Sequence, residues 1–268
     1  MDDPAPPPVP ALLAPDEPPA GERLNPQGTC DMVLVCDHAS NRVPRALGDL
    51  GVAPEHFRRH IAYDIGAEAV TRILAGELDA TAVIAGYSRL VIDLNRPPGH
   101  RGGMPHHIDA TDIPGNANLA PEQVEARLDA LFEPYHNLVR RTLSDVWLRR
   151  RPPILFSVHS FSPRFGDSPR PWDVGVLWNH DPRLAKPMIK ALHDLGLDVG
   201  DNQPYSGRGD VSYTVDAHGT ASGLANCVIE INQDQVADAV GIRRWADILL
   251  EVLPPILRDD ALYRVEYF

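Results

Sequence analysis

The stretch "LVCDHASNRVP", residues 34–44, decides how this chain is read. A short apolar run ends in Asp37 and His38, and Asn41, Arg42 and Pro44 follow at once. An unbroken apolar run of this length, as in "MVLVC" (32–36), fits a strand buried on both faces. The same grammar recurs in "ILFSVHSFSP" (154–163), which ends in His159, and in "CVIEINQD" (227–234), which carries Glu230. Ligands of open α/β sheets bind beyond the carboxyl ends of the strands, so His38 and His159 are expected to meet there.

Working outward, the chain alternates strand and helix patterns. "IGAEAVTRILAGEL" (65–78) has helical spacing and "TAVIAG" (81–86) reads as a strand. Residues 87–119 are rich in Gly, Pro, His and Asn, and so long a loop inside a compact domain is usually functional. A long helix, broken near Pro134, is expected over 121–150. "DVGVLWN" (173–179) reads as a strand, 181–196 as a helix with Asp181 as N-cap and Gly196 as stop, and 233–257 as a final helix. Alternation of this kind predicts an α/β fold, layered as an α/β/α sandwich over a mostly parallel or mixed sheet.

Composition bounds the function. The 268 residues suit one large domain, with 43% hydrophobic and 23% charged residues as in globular proteins. No run approaches the ~18 apolar residues needed to cross a membrane. A formal net charge of −12 argues against a nucleic-acid partner, although an anionic substrate remains compatible with a locally basic site. Cys30, Cys36 and Cys227 are odd in number and far apart, which fits buried thiols of a reducing compartment. The first 28 residues are proline-rich, lack a signal-peptide pattern and read as a disordered arm, with the domain spanning 29–268. A cytoplasmic location is expected.

Imidazoles at two strand ends are suited to zinc, and a catalytic zinc takes three protein ligands. His38 and His159 are the candidate ligands, against the ordinary alternative of hydrogen-bonded histidines. Asp64, before the 65–78 helix, is preferred as the third ligand over the neutral amide of Asn41, although Asp64 is equally placed to cap that helix. Asp37 should face away from His38 on an extended strand. Glu230 is a charged residue in a core strand, so it is either half of a buried salt bridge or a general base. "SRLVIDLNRP" (88–97) offers Arg89, Asn95 and Arg96, and "YSGRGDVSYTVDAHG" (205–219) adds Arg208 and His218. A guanidinium grips a carboxylate by two parallel hydrogen bonds, which suits these arginines to an acidic substrate.

With these motifs in order, the chain resembles the N-formylglutamate amidohydrolase family. The resemblance covers most of residues 32–257 and rests on "VCDHASNRVP", "YDIGAEAV", "YSRLVIDLNRP", "VHSFSP", "GVLWNHDPRLA", "DNQPYSGR", "TVDAHG" and "VIEINQD". The family is similar to zinc carboxypeptidases and aspartoacylase-type deacylases. That implies one catalytic zinc on His38 and His159, Glu230 as the catalytic glutamate, and Asn95 and Arg96 on a substrate carboxylate. H-x-x-N stands here where the carboxypeptidase pattern has H-x-x-E. The resemblance further implies zinc-dependent hydrolysis of a small anionic N-acyl amino acid, N-formyl-L-glutamate first, in histidine degradation. Arg89 and Arg208 would assist at the carboxylates, and His218 would stabilise the oxyanion. The alternatives are a deacylase for another N-acyl amino acid and a small-molecule binding protein that has kept the fold without the chemistry.

Overall fold

The computed structural model describes residues 11–209 and 212–268. Seven strands form one sheet: β1 (Gly21–Leu24), β2 (Met32–Cys36), β3 (Thr81–Ala85), β4 (Ile154–Phe161), β5 (Val174–Leu177), β6 (Val199–Asp201) and β7 (Asn226–Asn232). Their spatial order is β1-β3-β2-β4-β7-β5-β6. The β3-β2-β4-β7 block is parallel throughout, and so is the β5-β6 pair. β1 joins β3, and β5 joins β7, antiparallel. The sheet is mostly parallel, as the apolar runs predicted.

Helices cover both faces. They are α1 (Ala67–Glu77), α2 (Pro121–Arg127), α3 (Glu133–Arg149), α4 (Ala185–Asp194), α5 (Tyr213–His218) and α6 (Ala239–Ile256). Leu34 and Cys36 of β2 and Ile229 of β7 pack with α1, α4 and α6, through Leu74, Met188 and Trp245. Val33, Val35 and Val228 point the other way, onto Tyr135 and Val139 of α3 and Val215 of α5. Alternate residues of each strand therefore feed opposite cores, which is why these strands carry no polar face.

Several expectations need correction. Residues 11–28 are not a disordered arm: Leu12 and Ala20 are buried in the α3-side core, and β1 is a strand of the sheet. Residues 1–10 of that predicted arm lie outside the described residues. Asp181 does not cap α4; its carboxylate receives three bonds from the Arg183 guanidinium, at 2.6, 2.9 and 3.1 Å. Gly196, at φ 79°, does end that helical segment, in a conformation other residues adopt at a cost. Pro134 does not break the long helix. Helical structure runs on from Pro121 to Arg149, and a five-residue π turn, Leu128–Phe132, sits immediately ahead of Pro134, where the helix accommodates the missing N–H.

Candidate active site

Strand alternation aims the site residues. Val35 of β2 is in register with Ser157 of β4, so two residues on Asp37 comes level with His159. Both lie on the α3 side of the sheet, and the Asp37 carboxylate accepts from His159 Nε2 at 3.2 Å. The other Asp37 oxygen accepts from the Tyr135 hydroxyl at 2.7 Å and the Thr214 hydroxyl at 2.9 Å. His38, one residue on, turns the opposite way. Glu230 stands beside His159 on the neighbouring parallel strand.

Asp64 enters from the loop before α1 and does not cap that helix. Gly66, at φ 76°, makes the turn into α1, and a Cβ there would lie 2.4 Å from the Val236 carbonyl oxygen. Only glycine fits, and the turn leaves the Asp64 side chain facing the two histidines. Asp64 Oδ2 lies 2.7 Å from His159 Nδ1 and 3.4 Å from His38 Nδ1. The Ser160 backbone N–H also donates to it, at 3.3 Å. Asn41 is exposed and donates to the Phe57 carbonyl at 2.8 Å, away from this cluster.

The outer nitrogen of each ring is held as well. His38 Nε2 meets Asp93 Oδ1 at 2.7 Å, just as His159 Nε2 meets Asp37. Each imidazole thus has a carboxylate behind it and turns its Nδ1 inward to the shared Asp64. Ligand atoms of His38, Asp64 and His159 lie within 4.8 Å of one another, and all three residues are buried. Two imidazoles and a carboxylate are a donor set that suits zinc and leaves one tetrahedral position open. Carboxylates behind metal-binding histidines fix ring orientation and raise ligand basicity, and Asp37 and Asp93 stand in that position behind His159 and His38. The residues present therefore fit a divalent metal.

Burial and charge compete in the cluster. Burial opposes ionisation of Asp64, yet His38 and the hydrogen bond from His159 hold its carboxyl well below the usual range. Burial opposes the His159 cation, but the bonds to Asp37 and Asp64 lift it well above the ordinary value. Glu230 is the exception. Burial, with Asp64 nearby, pushes it up to about 7, although His159 pulls the other way. Among the described residues Glu230 has no ion-pair partner, so the salt-bridge alternative is not what the fold contains.

These side chains line a cavity of about 100 Å³, which also receives Arg89, Asn95, Arg96 and Tyr205. Arg89 is already committed, at 2.7 Å to Asp93 and 3.4 Å to Asp64. Asn95 accepts from the Thr214 backbone N–H at 3.0 Å, and its own N–H donates to Asp93. Arg96 donates to the Asn95 carbonyl and forms no ion pair among the described residues. Arg208 is elsewhere: it is exposed, with its guanidinium over Trp178 at 5.1 Å. His218 is also outside the cavity, paired with His136 at 2.9 Å on the α3 side. Arg208 lies beside Trp178, just after β5, and His218 ends α5 against α3.

The sequence profile of the N-formylglutamate amidohydrolase family matches residues 30–237. The chain belongs to that family. It is similar to the crystal structure of gene product Atu2144 from Agrobacterium tumefaciens, with a TM-score of 0.89 and 34% identity over 92% of this chain and 98% of that one. It also resembles in fold an N-formylglutamate amidohydrolase from Ralstonia eutropha JMP134, with a TM-score of 0.67 and 20% identity over 89% and 97% of the two chains. No curated protein matches significantly.

In this member of the N-formylglutamate amidohydrolase family the fold also brings in residues that the sequence did not single out. Asp93 lies inside the quoted "DLNRP" element, directly ahead of the residues singled out, and backs His38. His60 lines the cavity and pairs with Asp109 at 3.0 Å; burial lowers its pKa. Tyr205 presents its hydroxyl to the Arg170 guanidinium at 3.1 Å.

Proposed function

We propose that this protein hydrolyses the amide bond of a small anionic N-acyl amino acid, with N-formyl-L-glutamate as the first substrate to test, and that it does so with zinc. The observation that carries the reading is the buried His38–Asp64–His159 cluster with Glu230 beside it in the same cavity. Zinc held by His38, Asp64 and His159 would supply Lewis-acid polarisation of the acyl carbonyl and acidify a water to a pKa of ~7.

The remaining work belongs to the chain's own side chains. Glu230 takes the proton of the attacking water and passes it to the leaving nitrogen, so the amine departs neutral. Glu230, buried beside His159 in the same cavity, is placed for both transfers. Arg96, unpaired by any carboxylate among the described residues, grips a substrate carboxylate, with Asn95 beside it. Arg89 acts differently from the expected clamp. Its two acidic partners already hold it, so it fixes Asp64 and Asp93 in place.

The test is a panel of N-formyl, N-acetyl and longer N-acyl amino acids, assayed with zinc and after chelation. Hydrolysis of acidic N-formyl substrates, with about one zinc per chain and loss on chelation, is the expected result. His38→Ala and His159→Ala should each abolish zinc retention in a folded protein. Full zinc occupancy in either variant removes that residue from the ligand set. A panel on which nothing is cleaved overturns the enzymatic reading.

A further inference from the structure

Asp93 and Asp37 stand behind His38 and His159, yet they are held by different means. Asp93 has a cation, Arg89 at 2.7 Å, and a backbone donor, the Asn95 N–H at 2.9 Å. Asp37 pairs with no arginine or lysine among the described residues. It is buried, and apart from His159 the donors to its carboxylate are two hydroxyls, Tyr135 of α3 and Thr214 of α5. A buried carboxylate without a cation depends on such bonds for both its charge and its direction.

Of the two hydroxyl residues, Thr214 has a second bond into the site. It is the second residue of α5, and the N–H groups of a helix's first turn have no acceptor within the helix. The turn closes only at Asp216, whose N–H donates to the Ser212 carbonyl at 3.0 Å. The Thr214 N–H is therefore left to donate to Asn95 Oδ1 at 3.0 Å, while its hydroxyl donates to Asp37 Oδ1 at 2.9 Å. Thr214 is fully buried, so water replaces neither bond. With these two bonds a ring closes on the Nε2 side of the imidazoles, running His159–Asp37–Thr214–Asn95–Asp93–His38. Asp64 joins the same two imidazoles on their Nδ1 side.

We infer that Thr214 is a positioning residue of this site: through Asp37 its hydroxyl aims His159 at the metal, and its backbone N–H holds Asn95 in the substrate cavity. The inference rests on the zinc amide-hydrolase reading above. It gives the segment 205–219 a part in the site other than the one expected of Arg208 and His218. A carboxylate aligned on Nε2–H fixes the ring and leaves the Nδ1 lone pair facing the cation, so the loss of a donor to that carboxylate is felt first in metal affinity. The bond to Asn95 uses the backbone and survives a change of side chain at 214, so the two parts are separable by experiment.

The experiment compares the whole protein with Thr214→Val, which replaces the hydroxyl by a methyl of the same shape, and Thr214→Ser, which keeps it. Zinc affinity is read by competition with a chelator of known affinity, alongside kcat and KM on N-formyl-L-glutamate at saturating zinc. Thr214→Val should weaken zinc binding by about tenfold, the low end of the loss that follows removal of a group behind a metal ligand. KM should hold, because the N–H to Asn95 remains, and Thr214→Ser should restore the affinity. In an Asp37→Asn background Thr214→Val should add little, since both changes act through one bond. Unchanged zinc affinity in Thr214→Val, a raised KM at saturating zinc, or a loss that adds in full to that of Asp37→Asn overturns the inference. Should the valine variant not fold, Thr214→Ser against Thr214→Ala isolates the same hydroxyl, and equal zinc affinities in that pair overturn the inference as well. The zinc measurement needs no turnover. Affinity that depends on the hydroxyl, in a protein that cleaves none of the N-acyl substrates, would refute the hydrolase reading and leave Thr214 as the residue that positions the metal site.

Discussion

Two pairs of histidines lie close together in this molecule and have opposite characters. His38 and His159 meet edge to face, with ring centroids 4.9 Å apart, while His136 and His218 stack at 5.2 Å. The first pair is framed by Asp37, Asp64 and Asp93. The second pair has no carboxylate bonded to either ring among the described residues. His136 Nε2 donates to the Leu94 carbonyl, which leaves its Nδ1 to accept from His218. Rings of Phe132, Tyr135 and Tyr213 enclose His136. Burial opposes protonation in both places. In the first the acids win and lift His159; in the second burial, with His136 beside it, lowers His218 to about 4. The partners, not the residue type or the depth, decide whether a histidine pair is disposed toward a cation or stays neutral.

The comparison breaks most visibly at Glu230. Glu230→Gln keeps size and loses the base, so kcat should fall by about 10²–10⁴-fold while zinc content and melting temperature hold. A large drop in melting temperature with only a modest loss of turnover would make the residue structural.

A smaller effect is expected one bond further out. Asp37→Asn keeps the contacts to Tyr135 and Thr214 but removes the charge behind His159, and metal affinity should weaken by about 10–100-fold. Competition with a chelator of known affinity measures it. Unchanged affinity would mean that the ring is held by packing alone. His136→Gln, made in the carboxylate-free pair, should leave metal affinity unchanged in the same assay, and loss of metal there would erase the distinction between the two pairs.

The smallest effect concerns stability. The folded protein keeps His218 neutral down to about 4, whereas the unfolded chain protonates near 6.5. The unfolded state therefore binds more protons between those values, so stability falls as pH drops through that window. His218→Gln should flatten this acid limb by about 2 kcal/mol, read from denaturant unfolding at pH 7 and pH 4.5. An identical pH dependence in the variant would show that His218 is as basic folded as unfolded.

The strands that carry the site were legible because parallel strands buried on both faces read as unbroken apolar runs. β2, β4 and β7 do so, and each delivers its polar residue where the run ends or just inside it. β1 was not legible. "GERL" sets two adjacent charges in four residues, with no alternation to mark a strand, and nothing local says that its partner is β3, about sixty residues on. β6 has three residues, too few for any period. In the site, His38, Asp64, His159 and Glu230 were readable as strand-end or helix-entry polar residues. Their hydrogen-bond partners were not, since the bonds from Asp93 to His38 and from Asp37 to His159 span 55 and 122 residues. Misplacing His218 has the same origin: a partner 82 residues away, on another helix, fixes where that ring goes.

β1 has a consequence for the behaviour of the chain in a crowded solution. It lies along β3 at the margin of the sheet, and its Glu22 and Arg23 reach out to Arg72 and Asp145 at 2.7 and 2.6 Å. Without it β3 would be the outermost strand, apolar from Ala82 to Ala85 and with one row of backbone groups unpaired. Such a border recruits strands from other molecules and starts aggregation. The short charged segment ahead of β2 therefore acts as a selvedge, finishing this side of the sheet with a charged hem in place of an apolar one.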